Sequence, residues 1–358
     1  MDLFENDNVL QTFRNDIDEI RNFRNIGIGL SRRTKVYNSR ANPMDEFSEK
    51  DFKNRYRFSK ENMKKIINIL RDDLSVDNRG GSIPVELQVM AVIRYWGRHE
   101  IQEDCAEIHG MSQQTLSRIC KRVAIALASK SSLYIKMPSS IIEETETIRK
   151  FQSICGFPHV IGAIDCTHIK IRKVGGDAGQ YYVNRKGQYS INVQIVCNAD
   201  LKICDIVSHW RGSTHDARIW RESSLKIRFE ENEFKGKLIG DSGYPCTPYL
   251  FTPVLRPRTE SEQNYNNRHI RTRNVIERCF GVLKQRFRIL LEVMRGSYTT
   301  IKTTIVACAV LHNLAIEFKD SIDYDLTCRD ADDDTENVEQ SSNNAIHITR
   351  NLFIENYF

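Results

Sequence analysis

The sequence has no pair of cysteines spaced as C-x2-C, although it contains ten cysteines among 358 residues. Without such pairs a zinc finger or zinc ribbon is not expected, and a disulfide scaffold does not suit a chain of this length. The scattered cysteines therefore predict reduced thiols packed in the core of an intracellular protein.

Long apolar runs and a secretory leader are also lacking. The longest apolar run, residues 305–311, falls far short of the roughly 20 residues that cross a membrane. The first ten residues, MDLFENDNVL, do not combine a basic stretch with an apolar one as a signal peptide does. We therefore expect no membrane partner.

The net charge of +5 is an average over two unlike parts of the chain. Residues 320–358 hold ten acidic and two basic residues, a net charge of −8, whereas residues 1–319 hold 50 basic and 37 acidic residues, a net charge of +13. The basic body predicts a polyanionic partner such as nucleic acid. The acidic segment, residues 319–358, predicts a largely flexible tail.

The chain length favours two folded units, and the first of them reads as helical. Residues 46–153 show helical periodicity throughout and follow a mixed N-terminal segment, residues 1–45. A tight turn at Gly110 leads into a predicted helix over residues 112–128, whose polar N-terminal face is typical of a helix-turn-helix recognition helix. The predicted DNA contacts on it are Gln113, Gln114, Arg118, Lys121 and Arg122. A three-helix packing module that contacts no DNA is the alternative.

The second predicted unit, residues 154–318, begins with strand-like sequence and ends with helices. Runs of Val and Ile with small residues indicate strands, and two of these runs flank an N-A-D turn, which indicates an antiparallel hairpin. The predicted strands are 159–171, 190–198, 201–209 and 237–240, and the later predicted helices are 262–290 and 299–318. The expected fold class is α/β, preceded by an all-α module.

Four acidic residues occupy positions that suggest a common site: Asp165, Asp216, Asp241 and Glu277. Asp165 and Asp241 each follow an apolar strand, Asp216 lies where a helix begins, and Glu277 lies inside the long helix. Taken alone, Asp216, Asp241 and Glu277 have ordinary explanations, as a helix cap, a turn residue and a surface ion pair. Asp165 is harder to explain in this way, because a carboxylate that follows five small or apolar residues needs a partner if it is buried. Mg²⁺ and Mn²⁺ prefer carboxylate oxygens, and two such ions about 3.5–4 Å apart can promote phosphodiester cleavage.

The helix that carries Glu277 is strongly basic. Glu277 is the single acid among seven basic residues between positions 268 and 288, and it lies about 100° from the apolar stripe. Gly281, one turn further on, leaves the neighbouring surface bare for a backbone or a ligand. The basic residues predicted to contact DNA phosphates are Arg268, Arg271, Arg273, Arg278 and Lys284.

Motifs around these acids resemble those of PIF/Harbinger-superfamily transposases, and most strongly those of the Harbinger transposase-derived nucleases. The motifs are G-A-I-D-C-T-H at 162–168, Y-V-N-R-K-G-Q-Y-S-I-N-V-Q-I-V-C-N at 182–198, G-S-T-H-D-A-R at 212–218, G-D-S-G-Y-P at 240–245, N-V-I-E-R-C-F-G-V-L-K-Q-R-F at 274–287 and A-V-L-H-N-L at 309–314. The resemblance covers about residues 155–318.

The resemblance implies an RNase H-like mixed sheet with a DDE metal site for Mg²⁺ or Mn²⁺. It implies that Asp165, Asp241 and Glu277 are the catalytic ligands, with 35 residues between the last two as in the family's DD35E arrangement. Asp216 matches a further acid that would be a metal ligand or would organise the site. Cys166 stands where many active transposases of this group have Gly.

The function implied is a transposase-derived, divalent-metal-dependent DNA endonuclease with a two-metal mechanism. Two alternatives stay open: a domesticated DNA-binding or partner-docking protein with vestigial nuclease activity, and a still-active Harbinger transposase. By the same resemblance, a separate Myb-like DNA-binding protein is expected as a partner, and the expected location is the nucleus, and also the cytoplasm.

Overall fold

The structure is a computed structural model that describes residues 40–75, 82–321 and 344–358. The predicted N-terminal segment lies almost entirely outside the described residues, as does most of the acidic run of the predicted tail.

The N-terminal part of the described chain is helical, as the sequence predicts. Ser59 and Ser112 cap two of the helices, since their hydroxyls accept hydrogen bonds from backbone N–H groups three residues on. Gly110 adopts φ 62°, which lets the chain turn sharply between the two helices of the predicted helix-turn-helix. The helices are α1 (Pro43–Glu46), α2 (Glu49–Tyr56), α3 (Lys60–Leu74), α4 (Val85–Arg98), α5 (Gln102–Ile108), α6 (Gln113–Ala128), α7 (Ser131–Tyr134) and α8 (Ile141–Cys155).

A five-stranded mixed sheet forms the centre of the second part. Its strands are β1 (Val160–Lys170), β2 (Ser190–Cys197), β3 (Ile203–Arg211), β4 (Lys237–Ile239) and β5 (Leu250–Phe251). The spatial order is β3-β2-β1-β4-β5. The first three strands pair antiparallel, and β4 and β5 join them in parallel. This mixed sheet flanked by helices confirms the predicted RNase H-like α/β fold.

Helices cover both faces of the sheet. They are α9 (Asp216–Arg221), α10 (Ser224–Glu230), α11 (Glu260–Arg286), α12 (Tyr298–Glu317) and α13 (Asn344–Tyr357). On one face, α11 packs against β1 and β2, and α12 packs against β3. Trp220 of α9 and Phe229 of α10 pack with apolar side chains of the opposite face. The long helix α11 thereby crosses the central strand. The polar side of α11 lies where the neighbouring strands β1 and β4 end.

One hydrophobic core joins the helical module to the sheet. Buried side chains from α2 to α6, from one face of the sheet and from α11 and α12 belong to a single cluster. The main joint is the packing of α6 against α12. The boundary that the sequence suggests near residue 153 therefore runs through a shared core.

Helix α12 is long and apolar enough to cross a membrane by length and composition, but 72% of its apolar window is buried inside the fold. It is the central core helix, with neighbours on the sheet and in the helical module. The nine cysteines in the described ranges are free thiols; seven of them are buried, whereas Cys155 and Cys166 are half-buried.

The last described segment is an ordered helix where the sequence predicts a flexible tail. Phe353 of α13 packs against Phe157 and Phe251, at ring-centroid distances of 5.9 and 4.7 Å. Arg350, also buried, donates hydrogen bonds to the carbonyls of Thr252 and Pro253. The acidic composition of the wider segment obscures this short apolar face, because most of its acids precede the helix.

Candidate active site

Asp165 and Asp241 are brought together by the register of two parallel strands. Ala163 of β1 pairs with Ile239 of β4. Each aspartate lies two residues beyond its member of this pair, in the same direction along the sheet. Because neighbouring parallel strands run side by side, the two carboxylates meet at the same place.

Asp216 reaches the same place from the other side of β1. The chain leaves the edge strand β3 and begins α9 at Asp216. Asn192 of β2 fixes this turn, since its Nδ2 donates to the carbonyl of Thr214 and to Oδ1 of Asp216, both at 2.9 Å. One carboxylate oxygen from each of Asp165, Asp216 and Asp241 lies within 4.8 Å of the other two.

The pKa values of two of the three clustered carboxyls are raised. The pKa of the Asp165 carboxyl lies well above its usual range because the group is buried and faces Asp241, while Arg273 opposes the increase. Burial, followed by the charge of Asp216, also raises the pKa of Asp241. Backbone N–H groups support the charged forms: Cys166 donates to Oδ1 of Asp165 at 2.7 Å, and Gly243 donates to Oδ1 of Asp241 at 3.0 Å.

Glu277 is joined to Asp165 through an arginine. Arg273, one helical turn before it on α11, donates from Nη1 to Oδ2 of Asp165 at 2.9 Å and from Nη2 to Oε1 of Glu277 at 2.7 Å. The Glu277 side chain is half exposed. The structure thus gathers Asp165, Asp216 and Asp241 directly, and it links Glu277 to Asp165 through the guanidinium of Arg273.

The three aspartates fit a divalent cation of the hard, oxygen-seeking kind. They offer carboxylate oxygens within 4.8 Å of one another, none of the three is fully exposed, and their mutual repulsion is only partly offset by Arg273. Mg²⁺ and Mn²⁺ take such oxygens and complete their coordination with water.

The residues next to these acids are anchored to the protein. The Cys166 sulfur lies 3.2 Å from the Tyr244 hydroxyl. His168 Nδ1 lies 3.0 Å from Ser190 Oγ, and His215 Nδ1 lies 3.1 Å from Nη2 of Arg185. These contacts give both histidines structural partners.

Sequence reasoning missed Asn192 and the bridging position of Arg273. A polar side chain in an otherwise Val- and Ile-rich buried strand was the available signal for Asn192. For Arg273 the signal was its spacing of four residues from Glu277, which is the spacing of a helical ion pair.

The predicted DNA contacts on the helix-turn-helix are accessible only in part. Gln113, Gln114 and Arg118 of α6 are exposed, and Lys121 is half-buried. Arg122 is also half-buried, and its Nη2 donates to the carbonyl of Leu74 at the end of α3 at 2.9 Å. Arg122 therefore holds two helices of the module together, in contrast to its predicted role.

Of the predicted phosphate contacts on α11, some are likewise exposed and others are not. Arg268, Arg271 and Arg278 are exposed. Arg273 is turned into the carboxylate site, and Lys284 is only 4% exposed. Nearby, Arg286 at the C-terminal end of α11 donates to the carbonyl of Arg57 in the helical module. Because Lys284 is buried, the structure does not offer it to DNA.

A five-stranded RNase H-like sheet with converging carboxylates beside its central strand defines the DDE class of nucleases. The sequence profile described as DDE superfamily endonuclease matches residues 164–313. That match spans the three aspartates, the long helix with Glu277 and most of α12.

Relatives extend the likeness over most of the chain. A human protein named Putative nuclease HARBI1 is 31% identical over 280 residues, which cover 76% of this chain and 80% of the relative. Protein ALP1-like from Arabidopsis thaliana is 25% identical over 82% of this chain and 75% of its own length. A Probable transposase for insertion sequence element IS702 from Microchaete diplosiphon is 22% identical over 76% of this chain and 97% of its own length.

The chain therefore belongs to the Harbinger transposase-derived nuclease family, and it is a nuclease of transposase-like character. No solved structure matches it.

Proposed function

We propose that this nuclease cleaves DNA phosphodiester bonds with divalent cations, Mg²⁺ or Mn²⁺, held by Asp165, Asp216 and Asp241, with Glu277 completing the site. The observation that carries the proposal is the convergence of three carboxylate oxygens within 4.8 Å beside the central strand. Two such ions, when bound, supply activation of water and stabilisation of the leaving oxygen.

The surrounding residues position these ligands. Asn192 holds Asp216 in place, and the backbone N–H of Gly243 orients Asp241. Arg273 keeps Asp165 and Glu277 facing each other across the gap between the sheet and α11. Such supporting hydrogen bonds fix the direction of metal ligands.

DNA would approach the cluster along α11. Arg271 and Arg278 lie about 100–120° around the helix from Glu277, on its exposed side, so they border the site and can bind backbone phosphates. Arg268 extends this basic surface towards the N-terminal half of the helix. Gln113, Gln114 and Arg118 of α6 are the candidates for contacts with base edges.

On the basis of the family resemblance, the proposal includes a separate Myb-like DNA-binding protein as a partner. It also includes location in the nucleus, and in the cytoplasm as well. Excision of an element flanked by terminal repeats, assayed with and without such a partner, distinguishes a full transposase from a nuclease that has lost transposition.

Cleavage of plasmid DNA by the full-length purified protein tests the proposed function. We expect cleavage with Mg²⁺ or Mn²⁺, none in the presence of EDTA, and background activity for Asp241→Asn. Asp200→Asn is the matched control and should cleave like the wild type, because Asp200 is an exposed aspartate of the β2–β3 turn, paired with Lys150 of α8 and outside the carboxylate cluster. Equal residual cleavage by the wild type and Asp241→Asn would refute the proposal and favour a DNA-binding or docking protein.

A further inference from the structure

An open cavity of about 440 Å³ lies next to the carboxylate cluster. Its lining includes Tyr181, Trp210, Arg211 and Arg218, together with His215, which immediately precedes Asp216. The metal site uses none of these five side chains. The cavity and the cluster nevertheless share one segment of chain, the link between β3 and α9.

Aromatic rings and guanidinium groups are paired in the cavity wall. The Cζ atom of Arg218 lies 5.5 Å from the ring centroid of Trp210, and that of Arg211 lies 5.2 Å from the ring centroid of Tyr181. Tyr181 is 57% exposed, and both arginines are exposed. Tyr181 and Arg211 therefore offer a stacking surface and a positive charge at the same point. Trp210 is half-buried, and Arg218 beside it also donates from Nε to Glu222 at 3.0 Å.

The position of this wall is fixed relative to the metal ligands. Ser213 donates from Oγ to the carbonyl of Tyr181 at 2.7 Å, which ties the turn bearing Tyr181 to the β3–α9 link. Asn192 then ties that link to the cluster, because it donates to both Thr214 and Asp216. A ligand in the cavity would therefore lie beside the carboxylates, at a distance from them that the fold fixes.

We propose that this cavity binds an unpaired nucleotide of the DNA strand next to the scissile phosphodiester. The proposal rests on the proposed nuclease function and names a subsite for its substrate. A flat base with an attached phosphate matches the paired aromatic and guanidinium groups, since bases stack on aromatic rings in sequence-tolerant fashion while arginines bind the backbone. A duplex backbone or an acidic peptide would use the arginines but would leave the rings without a role.

Binding of fluorescently labelled oligonucleotides without divalent cations tests the subsite. The probes are a single strand, the same strand with abasic positions, and the matching duplex. Tyr181→Ala and Trp210→Ala should each weaken binding of the single strand about 5- to 100-fold. Trp210→Phe should retain most of the affinity because a stacking ring remains, and thermal melts confirm that each variant is folded.

Two control variants test whether binding depends on this subsite, on overall positive charge or on the carboxylates of the cleavage site. Arg149→Ala removes an exposed arginine on α8, away from the cavity lining, and should leave single-strand affinity unchanged. Asp241→Asn should lose cleavage, and in that background Tyr181→Ala should still weaken binding of the single strand. If wild-type protein does not cleave but its binding depends on Tyr181 and Trp210, the subsite stands and the proposed function fails.

Three results would overturn the subsite while leaving the nuclease intact. The first is equal affinity of the wild type for the intact and abasic single strands. The second is a loss of duplex affinity in Trp210→Ala as large as the loss of single-strand affinity, which would assign the cavity to duplex backbone. The third is displacement of the single strand by a poly-glutamate peptide at an equal concentration of negative charge, which would assign it to an acidic protein.

Discussion

Arg273 and Asp165 form an ion pair 2.9 Å long that joins the long helix α11 to the central strand of the sheet. The side chains are 14% and 16% exposed, so solvent screens the pair only weakly. Arg273 also holds Glu277, so one guanidinium links the strand that carries Asp165 to the helical acid.

Arg273→Ala should destabilise the cation-free protein. The variant leaves Asp165 facing Asp241 without its guanidinium partner, which further disfavours the ionised carboxyl. We expect the free energy of unfolding in urea with EDTA to fall by about 1–3 kcal/mol. Addition of Mg²⁺ should narrow the difference from the wild type, because the cation takes over the role of the missing charge.

The control for that experiment is Arg149→Ala, which breaks an exposed ion pair with Glu146 and should change stability by less than about 0.5 kcal/mol. A difference between Arg273→Ala and the wild type that widens with Mg²⁺ would contradict the assignment of Arg273 as a charge that opposes the repulsion among the carboxylates.

Stability and cation binding should respond to pH in opposite directions. Because the pKa values of Asp165 and Asp241 are raised in the folded protein, these carboxyls bind more protons in the folded than in the unfolded state. Their contribution to stability is therefore present at low pH and is lost as pH rises from about 4, the unfolded value, through the raised folded values. Cation binding requires the ionised forms, so it strengthens over the same interval.

The rise in melting temperature on adding Mg²⁺ measures this linkage. We expect a larger rise at about pH 8 than at about pH 5 for the wild type. The rise should disappear in Asp165→Asn and persist in Asp200→Asn. A larger rise at the lower pH would show that the cation binds elsewhere.

Gly281→Ala tests whether DNA approaches Glu277 over the bare turn of α11. Apart from the backbone of its own helix, a Cβ atom at Gly281 would meet open space, so the fold accepts it. Replacement of a helical glycine should stabilise the protein by about 0.5–1 kcal/mol. If the DNA backbone passes close to this turn, the KM for DNA should nevertheless rise.

Asn264→Ala, at an exposed position nearer the start of α11, is the control and should leave the KM unchanged. An unchanged KM in Gly281→Ala would place the path of the DNA away from this turn.

Arg278→Gln and Lys284→Gln should behave differently although both remove a charge from α11. Arg278 is exposed beside Glu277, so its removal should weaken DNA binding and reduce the dependence of log affinity on log salt by about 0.9 for one lost phosphate contact. Lys284 is buried, so its replacement should lower the melting temperature and leave the salt dependence unchanged. A reduced salt dependence in Lys284→Gln would contradict the structure.

Much of the fold follows from local sequence patterns. The predicted strand over 159–171 corresponds to Val160–Lys170, and the predicted helix over 299–318 corresponds to Tyr298–Glu317. Periodicity reveals such elements because one face of each is buried. The two-residue strand β5 is too short to carry a pattern, and α13 was concealed by the acidic composition of the segment around it.

How far the position of each site residue could be predicted from the sequence differs from one residue to the next. Asp165 and Asp241 follow apolar strands, so their convergence depends only on the pairing of those strands. The nearness of Asp216 depends on the return of the chain from the edge strand β3 and on a hydrogen bond from Asn192, neither of which periodicity encodes. Helical geometry gives the side of α11 on which Glu277 lies, but the side-chain conformation that pairs it with Arg273 is a property of the folded site.

The shared core between α6 and α12 bears on the proposed cleavage of DNA. If the exposed polar residues of α6 contact bases, the spacing between the contacted bases and the cut bond is built into the protein interior, since no linker separates α6 from the nuclease sheet. The enzyme would then cut at a constant distance along the DNA from the bases that α6 contacts.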